Sequence, residues 1–239
     1  MDSNLLDDRL KAVAELCDEG CFFADIGTDH GFVSAYLMEH KNARGGLACD
    51  IREKPLEKAR ELMATLGLED RVRCVLCDGI PLEARDRVDT VIIAGMGGET
   101  IIHIIKNAYF LWKENVKFIF QPMTRGNLLR KFLLANGFSI SSETACSAKG
   151  VAYSVLECKF TGEKSECSEV MAHFGMLIFK DELSSVEMEY INSIFYKLEN
   201  IKNGLMLSKS EDTSPQLSKL TELIASARAE LEKSSRKDG

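Results

Sequence analysis

The chain has 239 residues, 45% of them hydrophobic, which is enough for one large core and a small second unit. Its formal charge of −7 excludes a protein that coats nucleic acid nonspecifically, because such binding rests on many lysine and arginine contacts to phosphate; a local basic face stays compatible with it. No stretch approaches the ~20 apolar residues of a membrane span, and the start Met1-Asp2-Ser3-Asn4 lacks the basic opening and apolar run of a leader, so a cytoplasmic chain that does not enter membranes is expected.

In chain order, short apolar runs alternate with amphipathic segments, the pattern of repeated βα units around a parallel sheet. Strands are predicted at Cys21 to Ile26, Gly46 to Cys49, Val72 to Leu76, Thr90 to Ala94 and Val116 to Gln121. Helices are predicted over Phe32 to His40, Pro55 to Leu66, Glu99 to Leu111 and Arg125 to Asn136. Two further β-rich runs, Phe138 to Cys146 and Ala152 to Phe160, leave little room for a helix between them and are expected to pair as an antiparallel hairpin. The expected fold class is therefore α/β, a doubly wound and mostly parallel seven-stranded sheet.

Thr161 to Glu169 is polar and marks a boundary, which divides the chain into a domain over 1–160 and a helical one over 170–239. In the second part Ile191, Ile194, Leu198, Ile201 and Leu205 recur at spacings of three and four. Leu217, Leu220, Ile224, Ala227 and Leu231 repeat that spacing after the polar turn Ser208 to Pro215. These stripes predict an antiparallel coiled-coil hairpin, with a helix pair packed on the main core as the alternative.

Six of the eight cysteines, Cys21, Cys49, Cys74, Cys77, Cys146 and Cys158, lie in or beside strand-like runs, which fits a reduced chain. Cys74 and Cys77 form one C-x-x-C, but no second pair or nearby histidine completes a zinc site, and no structural metal is expected.

In an open α/β sheet ligands bind beyond the carboxyl ends of the strands, so the residues just after each strand carry the functional information. The first such loop reads Asp25-Ile26-Gly27-Thr28-Asp29-His30-Gly31, whose glycines allow a tight turn and close backbone approach to a cofactor. It lacks the Gly-Lys-Ser/Thr ending of a phosphate-cradling loop and the full G-x-G-x-x-G text of a nicotinamide enzyme. The second strand ends in Cys49-Asp50, an acid placed to accept bonds from ribose hydroxyls, and the third in Cys77-Asp78-Gly79, where an acid can meet the exocyclic amine of adenine. A single strand-end aspartate is often a helix cap, but three in successive loops point to an adenosine-containing cofactor. The fourth strand runs into Gly95-Met96-Gly97-Gly98, which reads as an open backbone floor for a flat substrate.

With those residues in view, the sequence resembles the bacterial tRNA adenine-22 N1-methyltransferases. The resemblance rests on D-I-G-T-D-H at 25 to 30, C-D-I at 49 to 51, D-G at 78 to 79, I-A-G-M-G-G at 93 to 98 and Q-P at 121 to 122, within residues 5 to 160. It implies the class I methyltransferase sheet, S-adenosylmethionine as cofactor, N1-methyladenine in tRNA as product, and a C-terminal helical coiled coil. It also implies that Asp25 and Gly27 face the methionine end of the cofactor, Asp50 with Ile51 the ribose, and Asp78 with Gly79 the adenine. Ala94 and Gly95 would then complete the cofactor wall, and Gly95, Met96 and Gly97 would face the target base together with Gln121 and Pro122. The chain departs from the family's common text at Phe32, Ser34 and Met123, which touches substrate geometry rather than cofactor binding.

Asp29 stands where many such enzymes carry glycine, and it aims a carboxylate at the place of methyl transfer. It is expected to accept a hydrogen bond from the exocyclic amine of adenine and to take up the released proton, with His30 as a weaker candidate; a helix N-cap is the alternative. Because adenine N1 lies on the pairing edge, the base must be extruded or already free. Arg9, Lys11, Arg52, Lys54, Arg125, Arg130 and Lys131 are candidates to hold phosphates, of which Arg9 and Arg125 are the foremost. The helical hairpin, through Lys197, Lys202 and Lys209, would clamp the tRNA body or make a dimer contact. The rival readings are a methyltransferase acting on a protein or small molecule and a cofactor-binding RNA-interaction module without catalysis.

Overall fold

The computed structural model describes residues 6–207 and 214–235; residues 1–5, 208–213 and 236–239, and with them Lys209 and most of the expected polar turn, lie outside the described residues. The elements in chain order are α1 (Asp8–Glu15), β1 (Phe22–Ile26), α2 (Phe32–His40), β2 (Gly45–Asp50), α3 (Glu53–Thr65), β3 (Val72–Leu76), β4 (Thr90–Gly97), α4 (Gly98–Asn107), β5 (Lys117–Thr124), α5 (Gly126–Ala135), β6 (Phe138–Ala148), β7 (Val151–Phe160), α6 (Glu169–Phe174), α7 (Ser185–Leu207) and α8 (Ser214–Ser235). The sheet has seven strands in the order β3-β2-β1-β4-β5-β7-β6. It is mixed: β1 to β5 pair in parallel, and β7 runs antiparallel between β5 and β6.

Burial on both faces explains the continuous apolar strands. In β1, Phe22, Ala24 and Ile26 enter one core with α4 and α5, whereas Phe23 enters the opposite core with α1, α2 and α3. The chain winds outward through β1, β2 and β3 and returns to β4 beside β1, so strand order reverses between β1 and β4 and opens a crevice there.

α1 is not foreseen in the sequence reading. Its cap is Asp7, whose Oδ1 accepts the Leu10 N–H at 2.8 Å, and its apolar stripe closes on α2 through Val13 and Ala14. The helix expected over Glu99 to Leu111 stops at Asn107 and ends in a short turn of 3₁₀ helix at Tyr109–Leu111. α6 is likewise additional, a six-residue helix just beyond the polar boundary.

The two long C-terminal helices share a core with Ala152 of β7 and with Phe174, Leu177 and Ile178, so their apolar faces close on the end of the sheet as well as on each other. α7 buries Tyr190, Ile191, Phe195 and Leu198, but Ile201 is 55% exposed, and the inward stripe ends before it. A capping box starts this helix: the Ser184 N–H donates to Glu187 Oε2 at 2.9 Å and the Glu187 N–H returns to Ser184 Oγ at 3.3 Å. No described helix is long and apolar enough to cross a membrane.

A buried ion pair joins this appendage to the sheet. Arg130 of α5 pairs with Glu143 of β6, and both side chains are fully buried. The guanidinium also donates to the Ala172 carbonyl at 2.9 Å, to Ser154 Oγ at 3.0 Å and to the Tyr190 hydroxyl at 3.2 Å; Glu143 Oε2 accepts the Met176 N–H at 2.9 Å. Burial opposes the Arg130 charge, but Glu143 and Tyr190 together outweigh it and hold the guanidinium above its ordinary pKa. Arg130 therefore cannot hold phosphates, as the sequence suggested; it ties five elements together. Lys131 is engaged by Glu169 at 2.6 Å.

Candidate active site

The carboxyl ends of β1 to β4 surround a cavity of about 620 Å³. Its wall brings together Asp25, Gly27, Asp29 and His30 after β1, Asp50 and Ile51 after β2, Asp78 and Gly79 after β3, and Ala94, Gly95 and Met96 after β4. Arg9 of α1 and Arg52 reach it as well. A larger groove of about 840 Å³ lies along α8 and α6, away from the strand ends, and carries none of these residues.

Asp25 is 4% exposed, and its Oδ2 accepts the Thr28 hydroxyl at 2.7 Å and the Ser34 hydroxyl at 2.9 Å. Burial pushes its carboxyl above the ordinary value near 3.8, and the two hydroxyls partly offset that. The serine that departs from the family text is thus an internal partner of Asp25. A carboxyl raised in the folded chain favours folding while protonated and costs stability as pH rises through its folded pKa. Ser34→Ala removes one of the two offsetting donors, so it is expected to destabilise the chain by about 1–3 kcal/mol at neutral pH and by less in acid. Urea denaturation at the two pH values checks this.

Gly27 holds φ +74°, and a Cβ there would stand 2.2 Å from Met96 Cε, so glycine both makes the turn and lets the Met96 side chain into the wall. Asp29 follows at φ +52°, a left-handed conformation that aspartate tolerates, and its side chain is 64% exposed. α2 starts at Phe32 with Gly31 in the cap position, so Asp29 is not that helix's cap. His30 Nε2 lies 3.6 Å from Asp29 Oδ2, and its ring stacks on Phe32 with centroids 5.2 Å apart. Asp50 Oδ1 accepts the Arg52 N–H at 2.8 Å, which turns the chain at the cavity edge; Asp78 is exposed beside Gly79.

The glycine-rich loop is not an open floor throughout. β4 continues to Gly97 through a bulge between Ala94 and Met96, and only Ala94, Gly95 and Met96 border the cavity. A Cβ on Gly98 would stand 2.4 Å from the Arg125 carbonyl oxygen, so that glycine serves close packing against the turn after β5.

Gln121 and Pro122 are buried and lie outside the cavity wall. Gln121 Oε1 accepts the Arg9 guanidinium at 2.8 Å and the Gly95 N–H at 3.0 Å, so it sets these two wall groups in place from beneath. Arg125, in the left-handed cap position of α5 at φ +56°, is exposed and does not border the cavity. Lys11 and Lys54 are exposed on α1 and α3. Thr100 and His103, absent from the residues expected of the site, also reach the wall from α4; their only mark in the sequence is a spacing of three, one turn after the glycines. Among the described residues, no group of three or more His, Cys, Asp or Glu side chains is placed to hold a metal ion.

A relative in Bacillus subtilis (strain 168), a tRNA (adenine(22)-N(1))-methyltransferase, is 26% identical over 228 residues, which span 91% of this chain and 92% of the relative. Streptococcus pneumoniae Sp1610, crystallised in complex with S-adenosyl-L-methionine, matches with a TM-score of 0.74 at 25% identity, over 95% of this chain and 100% of that one. The B. subtilis M1A22 tRNA methyltransferase TrmK shares the fold with a TM-score of 0.82 at 23% identity, over 95% of this chain and 98% of that one. The family described as a methyltransferase domain matches residues 6–156, from just before α1 into β7, and this chain belongs to it.

Proposed function

We propose that this chain is an S-adenosylmethionine-dependent tRNA (adenine-N1)-methyltransferase that modifies adenine 22. The observation that carries this reading is one cavity, at the point where strand order reverses, walled by Asp50 and Asp78 for an adenosine and by Asp29 at its mouth. A curated relative with that activity, matched along nearly all of both chains, supports the substrate.

The residues fit the cofactor. A volume of about 620 Å³ suits a molecule built of an amino acid and a nucleoside. Asp50 is the acceptor for ribose hydroxyls, Asp78 for the adenine amine, and the Gly27 turn leaves backbone rather than a side chain at the methionine end. When bound, S-adenosylmethionine supplies an electrophilic methyl group on its sulfonium. Asp29, exposed at the mouth and set in a left-handed turn, accepts a hydrogen bond from the exocyclic amine of the target adenine and takes up the proton that the amine releases. His30, held flat on Phe32 with Nε2 3.6 Å from the carboxylate, is the second candidate group beside the target base. Arg9, fixed by Gln121, is a cation of the cavity wall placed to meet the incoming phosphates, as is Arg52.

Residues 1–160 form the methyl-transfer unit in this account. Residues 170–239 form a helical arm, with α7 and α8 paired as a coiled-coil hairpin about Leu198, Leu223 and Ile224, which meets the tRNA body through Lys197 and Lys202 in the cytoplasm. The test is nucleoside mass analysis of tRNA digested after incubation with enzyme and cofactor. The expected product is 1-methyladenosine; N6-methyladenosine alone, or a methylated protein, would overturn the assignment.

A further inference from the structure

Two thiols, Cys77 in the cavity wall and Cys49 buried in the neighbouring strand, take no part in methyl transfer. Cys49 stands in register with Val75, and Cys77 follows two residues beyond Val75, so strand alternation puts all three on one face of the sheet. All three belong to the same apolar core, whereas Cys74, in register with Ala48, belongs to the core on the other face. The Cys77 N–H donates to the Asp50 carbonyl at 3.0 Å, which keeps the two strand ends side by side. Cys49 is fully buried; Cys77 is half-buried and borders the cavity. The neighbouring thiols act on each other, which lowers the Cys77 thiol below its ordinary pKa and raises that of Cys49, whose burial acts in the same direction. Cys77 Sγ also lies 3.3 Å from the Gly79 carbonyl oxygen. Cys77 is therefore the accessible nucleophile of the pair, and Cys49 is placed to resolve it.

We propose that Cys49 and Cys77 are an oxidation site, forming a reversible disulfide that weakens cofactor binding at the adenosine end of the cavity. The effect on the cofactor rests on the S-adenosylmethionine reading; the thiol chemistry does not. The oxidant is a hydroperoxide. The Cys77 thiolate attacks the O–O bond of hydrogen peroxide, an S–O bond forms, and the departing hydroxide takes up a proton to leave as water. The Cys49 thiol then attacks the resulting sulfenic acid, the S–S bond forms, and the sulfenic oxygen leaves with the thiol proton as a second water. Two thiols lose two electrons and two protons, and one peroxide becomes two waters. The new bond draws the Cys77 sulfur from the Gly79 carbonyl towards β2 and disturbs the Cys77-Asp78-Gly79 corner, where Gly79 holds φ +81°. Conversely, a molecule filling the cavity covers Cys77 and slows oxidation, as linkage between the two events requires.

The full chain treated with hydrogen peroxide should lose two hydrogens in mass, and its digest should contain a peptide joining Cys49 to Cys77. Saturating S-adenosylmethionine should slow the joining, and the oxidised chain should bind the cofactor about tenfold more weakly until dithiothreitol restores it. In Cys49→Ala, Cys77 should stop at the sulfenic acid and be trapped by dimedone. Absence of the joined peptide, or joining to a different cysteine, overturns the site. A joined peptide with unchanged cofactor affinity overturns the coupling. Joining in a chain that binds no S-adenosylmethionine even before treatment refutes the cofactor reading instead.

Discussion

Asp29→Ala is expected to lower methyl transfer by about 10²–10⁴-fold, the range that a positioned acid–base group contributes, while cofactor affinity stays within a few-fold of the parent chain. The separation follows from where Asp29 sits. Its carboxylate stands at the mouth of the cavity and is largely exposed, whereas Asp50 and Asp78 line the part assigned to the adenosine. Asp29→Asn keeps an acceptor for the adenine amine but cannot take its proton, so it should fall between the parent and the alanine variant. Fold should not confound the result: Asp29 caps no helix, and asparagine tolerates the left-handed backbone at φ +52°. Single-turnover rates with bound cofactor, set beside an independent cofactor titration, check both halves. An alanine variant within a few-fold of normal turnover contradicts the role.

Arg130→Met is expected to cost about 3–5 kcal/mol of stability, because it leaves Glu143 as an unpaired charge in the core. Glu143 then retains the Met176 N–H but loses the cation that sets its position, and Ser154, Tyr190 and the Ala172 carbonyl lose a shared donor. These partners lie on β7, α7 and α6, so the damage should spread to the packing of the C-terminal helices on the sheet. The double variant Arg130→Met/Glu143→Leu should recover much of the loss, since apolar groups of similar size replace both charges. Urea denaturation of the three chains measures this. A single variant that costs less than about 1 kcal/mol would mean that the pair is not the tie it resembles.

The inner parallel strands were legible in the sequence because they are buried on both faces and read as apolar runs, whereas the edge strand β3 exposes Arg73 and Leu76 and is marked by its flanks. β3 and α2 fall on their predicted bounds, and the hairpin of β6 and β7 follows from the short gap between two β-rich runs. α1 was missed because eight residues with an apolar stripe of two fully buried side chains, Val13 and Ala14, give little periodicity. The strand-end acids Asp25, Asp50 and Asp78 do converge on one cavity, since a doubly wound sheet puts every such loop on the same side. What the sequence could not reveal is which polar group is spent on another protein group. Arg130 sits between the buried Leu129 and Leu133, a hint that it points inward, but its partner Glu143 is thirteen residues away and meets it only when α5 packs over β6. Gln121 resembles a substrate contact until Arg9, from a helix 112 residues earlier, is seen to use its oxygen. Gly98 resembles part of an open floor until the turn at Arg125 closes on it.

The central claim is that this cavity, with its adenosine wall and Asp29 at the mouth, methylates adenine 22 of tRNA. It is tested most directly by transfer of labelled methyl from S-adenosylmethionine to an unmodified tRNA transcript with adenine at position 22, beside a matched transcript with guanine there. Incorporation into the adenine transcript alone is the expected result; equal incorporation into both, or none into either by a chain that binds the cofactor, would contradict the claim.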